Sequence, residues 1–573
     1  MTTPVAARGS IVPIILRRMR VPIIVLITAY AIAVLGFTLM PGVDDQGEPW
    51  RMTFFQAFYV VSYTGSTIGF GEVPYDFSNA QRLWTMVSIY ITVFAWLYSV
   101  GTIIALIQDT DFRNALVRTR LLRSLGGIRE PFYLICGYGD TGKLLARALL
   151  GRKQRVVIID RDMSNVEELR SRDSGIYVPA FCMDAEVPGN LLDAGLQHPW
   201  CAGVLAVTDN DHTNLKVAIA TKLLNRDILV FCRADTEETA NNMLSFGTDL
   251  VVNPCEDFAR RLVMGMREPD THRVYDWLTS LPNAPLPHRP EPPQGRWIIC
   301  GFGDFGQAVY RALREAGVSV LVVAEAVDDC PPGSIPGKGT EAVTLRQANI
   351  GEADALVACT DDDADNLSIM VTARQLNPDI YMVSLENRLY NRELFRAARP
   401  ALPVQTSYLT ASRFLSVLSA PMLRDFLKQS AAQGNAWNHV LVERLAEITG
   451  DMTPDCWTIT VSDKQTPAVT LALRLGEPVQ LGNLCRDARK RRNRLDAVPL
   501  MLRRGGECLL LPDDDTLLQV GDRMLWCGTP QAQVLLGWNL HHLNSLRYVH
   551  TGEHRPDGWV WRHLARRRAA AGD

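Results

Sequence analysis

Several signals that would place this chain in a common functional class are missing. Its twelve cysteines form no CxxC pair and mostly lie in apolar segments, which indicates reduced core thiols rather than disulfides or zinc ligands. The motif HExxH is absent, and the one HxxxH pair, His550 and His554, lies in a basic tail with a glycine between its members, so zinc catalysis is not expected. A net charge of −3 argues against a nucleic-acid partner.

Charge is also missing from two long apolar runs near the start of the chain. Residues 21–40 and 83–107 contain no Asp, Glu, Lys or Arg. At about 1.5 Å per residue, the first run is as long as a bilayer's hydrocarbon core is thick, and the second can span it with tilt. Neither run has the regular arginines of a voltage sensor. We therefore predict a two-span protein of the lipid bilayer.

The segment between the two runs has the pattern of a pore loop. Residues 52–63 are apolar and aromatic but too short to cross a membrane, which favours a re-entrant helix buried in protein. The candidate selectivity filter that follows consists of Thr67, Ile68, Gly69, Phe70 and Gly71. Its glycines adopt mirror-image backbone angles without steric cost, so successive carbonyl groups can face one axis and replace the water shell of K⁺. One loop is a quarter of such a filter, and we expect a homotetramer.

Together with Glu72, this segment resembles the Thr-Val-Gly-Tyr-Gly-Asp filter of K⁺ channels. Phe replaces Tyr and Glu replaces Asp. The first exchange removes a phenol that usually hydrogen-bonds behind the filter, which leaves the effect on ion preference open.

Arginine sets the predicted orientation. Four arginines precede the first run and five follow the second, whereas the loop between them has two arginines and five acids. By the positive-inside rule, both chain ends are cytoplasmic and the acidic mouth faces outward from the inner or plasma membrane. A cleavable signal peptide is not expected, because the first run is long and lacks a small-residue cleavage site. The arginines are Arg8, Arg17, Arg18 and Arg20, then Arg113, Arg118, Arg120, Arg123 and Arg129.

The remainder of the chain contains an internal repeat. The segment from Tyr133 to Gly142 recurs 164 residues later, from Trp297 to Gly306, and each copy is an apolar strand that leads into GxGxxG and a helical pattern. A second strand follows in each copy, at residues 155–160 and 318–325, and ends in an acid. Farther on, Thr-Asp-Asn-Asp at 208–211 is echoed by Thr-Asp-Asp-Asp at 360–363. Two landmarks in the same order indicate a duplicated Rossmann-like domain.

Both copies have the context that a nucleotide site requires: a strand, a glycine loop, a helix and a later acid. We expect the glycines to form the tight turn, to let the backbone approach a pyrophosphate, and to pack the helix on the strand, in the pairs Gly137 and Gly301, Gly139 and Gly303, Gly142 and Gly306. The acids Asp160 and Glu325 suit a free ribose, so NAD or an adenine nucleotide is favoured over NADP. Other candidates in the first copy are Tyr138, Asp140, Thr141 and Arg161.

The second copy is the weaker candidate. From its acid to its Thr-Asp motif it has 35 residues, where the first copy has 48. Pro331, Pro332 and Pro336 stand where the first copy has a helical pattern at 165–172, so we expect a helix to be missing. For both copies the alternative that the glycines serve packing alone, with nothing bound, stays open.

These features resemble RCK domains, the regulators of K⁺ conductance that are related to bacterial Trk and Ktr subunits. Met183-Asp184-Ala185 is similar to the family's Gly-Asp-Ala and adds Asp184 to the candidate nucleotide residues. Residues 258–266 and 403–418 resemble the family's crossover helix, which clasps a neighbouring domain. The resemblance covers about residues 50–540 and implies a multi-ligand-gated two-span channel, in which four chains form a cytoplasmic ring of eight RCK domains.

We therefore predict a membrane α-helical pore domain with two spans and a pore loop, two α/β Rossmann-like RCK domains and a small α/β C-terminal lobe. In that lobe, residues 457–461, 469–473, 508–511 and 523–527 read as strands. The predicted boundaries are 1–20 for the N-terminus, 21–108 for the pore domain, 109–130 for a linker, 131–268 for the first RCK domain, 269–295 for a proline-rich linker, 296–430 for the second RCK domain, 431–545 for the lobe and 546–573 for a basic tail.

Three alternatives remain open. Two acidic clusters, Asp361, Asp362, Asp363 and Asp365, and Asp513, Asp514 and Asp515, could bind Ca²⁺, although neither has the spacing of a known loop. A membrane-anchored NAD-dependent oxidoreductase would need a proton-transfer residue that no motif marks, so we expect no enzyme. A regulatory subunit of a K⁺ transporter would not need the filter segment in its own chain. The sequence does not distinguish NAD, NADH, ADP and ATP, or opening from closing.

Overall fold

The computed structural model describes residues 12–109, 122–171, 177–280, 284–285, 290–326, 328 and 330–552, with the backbone alone for residues 12–17. Most of the predicted linker at 109–130, the arginines Arg8, Arg113, Arg118 and Arg120, and His554 therefore lie outside the described residues. The chain divides into two compact units, Met1–Arg129 and Glu130–Asp573.

Over residues 12–108 the first unit, called the pore unit below, contains three helices and a hairpin. Its elements are α1 (Val12–Leu39), β1 (Pro41–Val43), β2 (Pro49–Arg51), α2 (Phe54–Gly65) and α3 (Asn79–Gln108). Among the described residues, two helices are long and apolar enough to cross a membrane, Arg18–Leu39 and Asn79–Gln108. Helix α2, with 12 residues, is too short to do so. This is the order of span, short helix and span that the sequence predicts.

Both α2 and α3 begin where the sequence signals a helix start. The hydroxyl of Thr53 accepts from the backbone N–H of Gln56, whose side chain accepts in return from the N–H of Thr53 at 2.9 Å. Ser78 and Gln81 repeat this capping box at the start of α3. Each box satisfies backbone N–H groups that have no partner within the helix. The box at Ser78 therefore fixes where the loop after α2 ends.

Close approach of α1 and α3 holds the pore unit together. The indole of Trp84 on α3 donates to the carbonyl of Ala33 on α1 at 3.0 Å. A Cβ on Gly36 would lie 2.0 Å from the Trp84 ring, so only glycine lets the ring reach α1. The buried side chains of Phe37, Val60 and Phe77 fill the space beside this contact, which positions α2 between the two long helices.

The second unit contains two six-stranded parallel sheets with the same strand order. The first sheet, β5-β4-β3-β6-β7-β8, consists of β3 (Phe132–Cys136), β4 (Arg155–Asp160), β5 (Ala180–Cys182), β6 (Cys201–Ala206), β7 (Leu229–Arg233) and β8 (Leu250–Val252). The second, β11-β10-β9-β12-β13-β14, consists of β9 (Arg296–Cys300), β10 (Ser319–Ala324), β11 (Ile335–Pro336), β12 (Ala355–Ala358), β13 (Tyr381–Leu385) and β14 (Leu402–Val404). The shared order agrees with the predicted duplication.

Helices connect and follow the strands of both sheets, as the crossovers between parallel strands require. In the first copy they are α4 (Asp140–Gly151), α5 (Met163–Ser171), α6 (Pro188–Asp193), α7 (Asp211–Leu224), α8 (Glu237–Ser245), α9 (Pro254–Arg267) and α10 (Pro269–Thr279). In the second copy they are α11 (Asp304–Glu315), α12 (Ala342–Gln347), α13 (Asp363–Leu376), α14 (Arg392–Ala398), α15 (Thr406–Ser419) and α16 (Leu423–Gln433). The described residues between Ala324 and Ile335 form no helix, so α5 has no counterpart, as the prolines predict.

Each copy completes the core of the other. Phe258 and Leu262 of α9, from the first copy, lie in the apolar cluster of the second sheet, where the Phe258 ring stacks on Phe305 at 5.0 Å. In return, Phe414 of α15 lies in the cluster of the first sheet, 5.4 Å from the ring of Phe231. The domain that each crossover helix clasps is therefore the other copy in the same chain.

Two predicted boundaries in this region are wrong. Residues 269–279, assigned to the proline-rich linker, form α10, because Pro269 occupies the first helical turn, where its missing N–H costs nothing. Val274 and Trp277 of this helix are buried in a core shared with the C-terminal lobe. The second crossover helix begins at Thr406 rather than Pro403, since Leu402–Val404 is strand β14.

The C-terminal lobe is a four-stranded antiparallel sheet, β15-β20-β18-β19, with a two-stranded ribbon and helices around it. Its elements are α17 (Asn435–Thr449), β15 (Asp455–Thr460), α18 (Pro467–Arg474), α19 (Leu481–Leu484), β16 (Arg486–Asp487), β17 (Lys490–Arg494), β18 (Ala497–Arg504), β19 (Glu507–Leu510), β20 (Arg523–Gly528), α20 (Pro530–His541) and α21 (Leu543–Thr551).

Two predictions for the lobe are also wrong. Residues 469–473 are helical rather than a strand, because Pro467 starts α18 and a short apolar run does not distinguish the two structures. Helix α21 extends past the predicted end of the lobe at 545, since Leu546 and Val549 are buried in its core. Beyond Gly552 the basic tail lies outside the described residues.

Candidate functional site

The backbone after α2 alternates in handedness along the candidate filter. Thr67, Gly69 and Gly71 have φ angles of 62°, 65° and 94°, whereas Ile68 and Phe70 between them do not have positive φ. Positive φ was expected at the two glycines, which reach it at no steric cost. At Thr67 it is unfavourable by roughly 1–2 kcal/mol, and such strain is typical of functional segments.

Helix α2 holds this ribbon through its last turn. The backbone N–H of Ile68 donates to the carbonyl of Tyr63 at 3.0 Å, and the phenol of Tyr63 donates to the carbonyl of Gly71 at 2.6 Å. The Phe70 ring lies 5.7 Å from the Tyr63 ring and 6.4 Å from that of Tyr59. The sequence did not mark Tyr63 as a residue of the candidate filter. Its phenol, on α2, donates a hydrogen bond to the ribbon, whereas Phe70 has no hydroxyl with which to make one.

Glu72 ties the C-terminal end of the ribbon to the second long helix. Its carboxylate accepts from the Arg82 guanidinium at 2.8 and 3.0 Å and from the backbone N–H of Phe77 at 2.6 Å. The ribbon is thus anchored at both ends, to α2 by Tyr63 and to α3 by Arg82.

In the first RCK copy the three glycines of the loop have different surroundings. Gly137 has a φ of 100°, and a Cβ there would lie 2.9 Å from the backbone of Thr208. A Cβ on Gly142 would lie 2.1 Å from the carbonyl oxygen of Gly137, so helix and strand pack through these two residues. Gly139 has nothing within 4 Å of a Cβ, although it precedes the first turn of α4. Packing within the chain explains why residues 137 and 142 are glycine, but it does not explain why residue 139 is.

Asp160 is buried at the end of β4 beside this loop. Only 8% of its surface is exposed, and its carboxylate accepts from the backbone N–H of Tyr138 at 2.5 Å and of Asp162 at 2.7 Å. The predicted ribose acceptor therefore also fixes the shape of the glycine loop.

The other predicted residues of the first copy surround the same edge of the sheet. Thr141 is buried in the first turn of α4. Arg161 is exposed and lies 3.6 Å from the carboxylate of Asp209, across the carboxyl ends of the strands. The side chain of Asp184 accepts from the N–H of Glu186 at 2.9 Å. Thr141 thus lies in the helix after β3, whereas Arg161 and Asp184 follow the carboxyl ends of β4 and β5.

Glu186 belongs to this edge, although the sequence did not mark it. Its carboxylate accepts from Lys216 at 2.8 Å and from the Thr213 hydroxyl at 2.7 Å. These two hydrogen bonds, with Lys216 first, lower the pKa of Glu186. The carboxyl edge of the first sheet is therefore well supplied with hydrogen-bonded carboxylates.

Asp140 links the two copies. One of its carboxylate oxygens accepts from the backbone N–H of Leu389 at 3.2 Å, in the turn after β13 of the second copy. Because Asp140 opens α4 directly after Gly139, the candidate phosphate loop of the first copy contacts the second copy without an intervening residue.

The second copy keeps the glycine geometry of the first copy but not its two acids. Its glycines match those of the first: Gly301 has a φ of 104°, a Cβ on Gly306 would lie 2.3 Å from the Gly301 carbonyl, and one on Gly303 would have only a contact at 3.7 Å. The N–H of Gly137 donates to Ile159, one residue before Asp160, and that of Gly301 donates to Val323.

The register therefore corrects the predicted match between Asp160 and Glu325. The residue that follows Val323, and so corresponds to Asp160, is Ala324. Pro336 pairs with Ala324 as Cys182 pairs with Asp160, so Lys338 corresponds to Asp184. Lys338 lies 3.0 Å from Asp365 and 3.7 Å from Glu325, and the hydrogen bond to Asp365 raises its pKa. The second cleft has a cation where the first has an acid.

The acidic cluster of the second copy is largely occupied by protein donors. Asp363 accepts from the backbone N–H groups of Asn387 at 2.7 Å and Arg388 at 3.1 Å, and Asp362 caps α13. In the lobe, Asp514 accepts from Arg494 at 2.6 Å. Over the described part of the chain, no group of three or more His, Cys, Asp or Glu side chains could hold a metal ion. Neither cluster supports Ca²⁺.

Comparison with protein families gives two matches that fit these units. The family described as "Ion channel" matches residues 22–109. The family described as "TrkA-N domain" matches residues 133–254 and again residues 297–400.

Curated relatives share part of the chain. Potassium channel protein 1 of Methanocaldococcus jannaschii is 29% identical over 36% of this chain and 60% of its own length. Probable potassium channel protein 2 of the same organism is 26% identical over 40% of this chain and 62% of its own. The voltage-gated potassium channel Kch of Escherichia coli is 27% identical over 35% and 46%. The chain thus matches less than two thirds of the length of each.

Among solved structures, the GsuK channel is 15% identical, with a TM-score of 0.45 over 95% of this chain and 100% of that one. The GsuK channel bound to NAD is 16% identical, with a TM-score of 0.43 over 92% and 99%. At these scores neither likeness carries an argument about this chain. The family matches and the repeated sheets do: the chain has an ion-channel domain followed by two TrkA-N, or RCK, domains.

Proposed function

We propose that four copies of this chain form a K⁺ channel whose opening is controlled by NAD or an adenine nucleotide bound to the first RCK copy. The observation that carries the proposal is the ribbon from Thr67 to Gly71, which alternates in handedness directly after a helix too short to span. Both chain ends are cytoplasmic in this proposal, as the arginine distribution predicts.

The backbone of the ribbon supports ion conduction. Alternating φ signs can turn the carbonyl groups of Thr67 to Phe70 toward one side, and a ring of such carbonyls can replace the hydration shell of K⁺. Since one chain supplies one ribbon, closure around an ion needs four chains about a common axis. The anchors at Tyr63 and Glu72 hold the ribbon from behind, so its carbonyl oxygens do not need to reorganise when an ion enters.

The surroundings of Gly139 support a nucleotide in the first copy. The open space at this glycine lies at the N-terminus of α4, where unpaired N–H groups favour a pyrophosphate. Asp160 and Asp184 lie at the strand ends where ribose hydroxyls need acceptors, and an acid there disfavours a 2′-phosphate. The second copy has Ala324 and Lys338 at these positions. We therefore assign the nucleotide to the first copy alone.

Control of opening follows from linkage. A nucleotide shifts the channel toward the state that binds it more tightly, and by no more than that difference in affinity. The contact between Asp140 and Leu389 gives the loop a direct route to the second copy, so a change in loop shape on binding alters how the two copies contact.

The test is K⁺ flux in liposomes that contain the purified chain. Flux is measured under a K⁺ gradient while NAD, NADH, ADP and ATP are added in turn to the side that the cytoplasmic domains face. We expect K⁺ over Na⁺ selectivity and a saturable response to at least one nucleotide. Gly71→Ala should abolish selective flux while nucleotide binding remains, because Gly71 needs a φ of 94°.

Two outcomes would contradict the proposal. Unchanged K⁺ flux in Gly71→Ala would show that the ribbon is not the filter. A nucleotide response that survives Gly139→Val, whose side chain fills the open space at the loop, would place the nucleotide outside the first cleft.

A further inference from the structure

A half-open cavity of about 420 Å³ lies between helices of the two RCK copies. Helices α9 and α10 form one side and α15 and α16 the other. The cavity is separate from both glycine loops, and none of the residues that line it belongs to a candidate nucleotide site. Its volume is in the usual range for small-molecule sites, roughly 300–1,000 Å³.

Cations dominate the lining of this cavity, which we call the crossover cavity. Its five cationic side chains are Arg260, Arg261, Arg413, Arg424 and Lys428, and its two acidic side chains are Asp257 and Asp425. Both acids form ion pairs. Asp257 is 3.0 Å from Arg260, and Asp425 is 3.3 Å from Arg503 of the lobe. A third acid, Asp276, lies 3.0 Å from Arg261 without lining the cavity. Five cations against three acids still leave the cavity with a surplus of positive charge.

Two of the arginines are held close together on one aromatic ring. The guanidinium carbons of Arg261 and Arg413 lie 5.2 and 5.7 Å from the centre of the Tyr275 ring. Nε of Arg261 and Nη1 of Arg413 are buried, and neither has a hydrogen-bond partner among the described residues. Arg261 also has a partner of its own, because its Nη2 lies 3.0 Å from the carboxylate of Asp276. Buried donors in native proteins are almost always paired, so the chain satisfies these two arginines only in part.

The exposed rim of the cavity adds two more cations. Arg424 and Lys428 are four residues apart on α16, so they lie on the same face of the helix. Both are exposed, and neither forms an ion pair with another described residue. Like charges at this spacing are mutually unfavourable, which an anion between them would relieve.

We propose that the crossover cavity binds a small polyanion that carries phosphate groups. Arginine forks match phosphate oxygens in geometry, and a group with several charges and acceptors can serve the lining arginines and both rim cations at once. The ligand does not need a nucleobase that stacks on Tyr275, because two guanidinium groups already lie over that ring. The ligand would join helices of both copies and stabilise one arrangement of them.

Calorimetric titration of the purified full-length protein with inorganic pyrophosphate tests this proposal, at constant ionic strength. The variant is Arg424→Gln with Lys428→Gln, which removes two exposed charges without disturbing the core. Its matched control is Lys490→Gln with Arg492→Gln, two exposed cations on β17 of the lobe. Gly139→Val serves as a third protein, because pyrophosphate could also bind the glycine loop.

We expect saturable binding in the wild type, in the control and in Gly139→Val. In the rim variant we expect the affinity to fall by at least about tenfold, since a charge-assisted hydrogen bond is worth roughly that factor. Three results would overturn the proposal: no saturable binding in the wild type, equal loss in the control and the rim variant, or loss in Gly139→Val with full affinity in the rim variant.

Discussion

Two glycines of one motif should respond oppositely to the same substitution. Gly142→Ala places a Cβ 2.1 Å from the carbonyl oxygen of Gly137, about 1 Å closer than any ordinary contact, so strand and helix must separate. Overpacking of this kind costs about 1–3 kcal/mol of unfolding free energy. Gly139→Ala meets no atom within 4 Å, and its φ of −70° is open to alanine. There we expect stability to be unchanged or to rise by up to about 1 kcal/mol, through a less flexible unfolded chain.

Nucleotide binding should be impaired by Gly139→Ala, the substitution that does not lower stability. If a pyrophosphate binds close to the backbone of Gly139, the Cβ that alanine adds occupies part of the pyrophosphate's space. The affinity for NAD then falls, although the protein is as stable as the wild type. Thermal unfolding and calorimetric titration of the two full-length variants measure both quantities. The reasoning fails if Gly139→Ala binds the nucleotide normally, or if Gly142→Ala unfolds at the wild-type temperature. The same clash, at 2.3 Å in Gly306, means that bulky substitutions at the third glycine report packing rather than binding in either copy.

Three further predictions concern the filter, the loop acid and pH. Tyr63→Phe removes the hydrogen bond to the Gly71 carbonyl, worth about 0.5–1.5 kcal/mol, and should lower K⁺ over Na⁺ selectivity in bilayer recordings, whereas unaltered reversal potentials would refute an anchoring role. Asp160→Asn keeps the shape of the side chain but removes its charge, so NAD affinity should weaken by about 1.5–3 kcal/mol in calorimetry; equal affinity would place the ribose elsewhere. Because Lys216 lowers the pKa of Glu186, the contribution of this pair to stability is present at neutral pH and is lost as pH falls through that lowered pKa. Lys216→Met should therefore make the free energy of unfolding less dependent on pH on the acid side. A pH–stability curve that superimposes on that of the wild type would contradict the assignment.

Local patterns in the sequence predict most of the architecture. Uncharged runs predict the two long helices, and the repeated GxGxxG predicts two sheets with the same order, because these signals lie within a single strand or helix. The glycine roles follow for the same reason, since Gly137 and Gly142 contact each other across a few residues.

What the sequence misses depends on register and on contacts between distant segments. Matching Asp160 to Glu325 by the last acid of each strand errs by one residue, which only the pairing of β9 with β10 reveals. Tyr63 reads as one more aromatic residue of the pore helix until the Gly71 carbonyl is placed beside it. The crossover cavity joins Arg261 to Arg413, and no local pattern relates residues so far apart.

The reciprocal clasp between the two RCK copies has a consequence for biosynthesis. While the chain is being made, Phe258 and Leu262 of α9 emerge before any strand of the sheet that will bury them. Their partners extend from Arg296 to Val404, and at about 5–20 residues per second the ribosome needs on the order of ten seconds to complete that stretch. For this interval the first copy presents an apolar helix with no partner and also lacks α15 from its own core. Neither copy can reach its native state first, so the nascent tandem depends on chaperones or on its own solubility until the second crossover helix has left the ribosome.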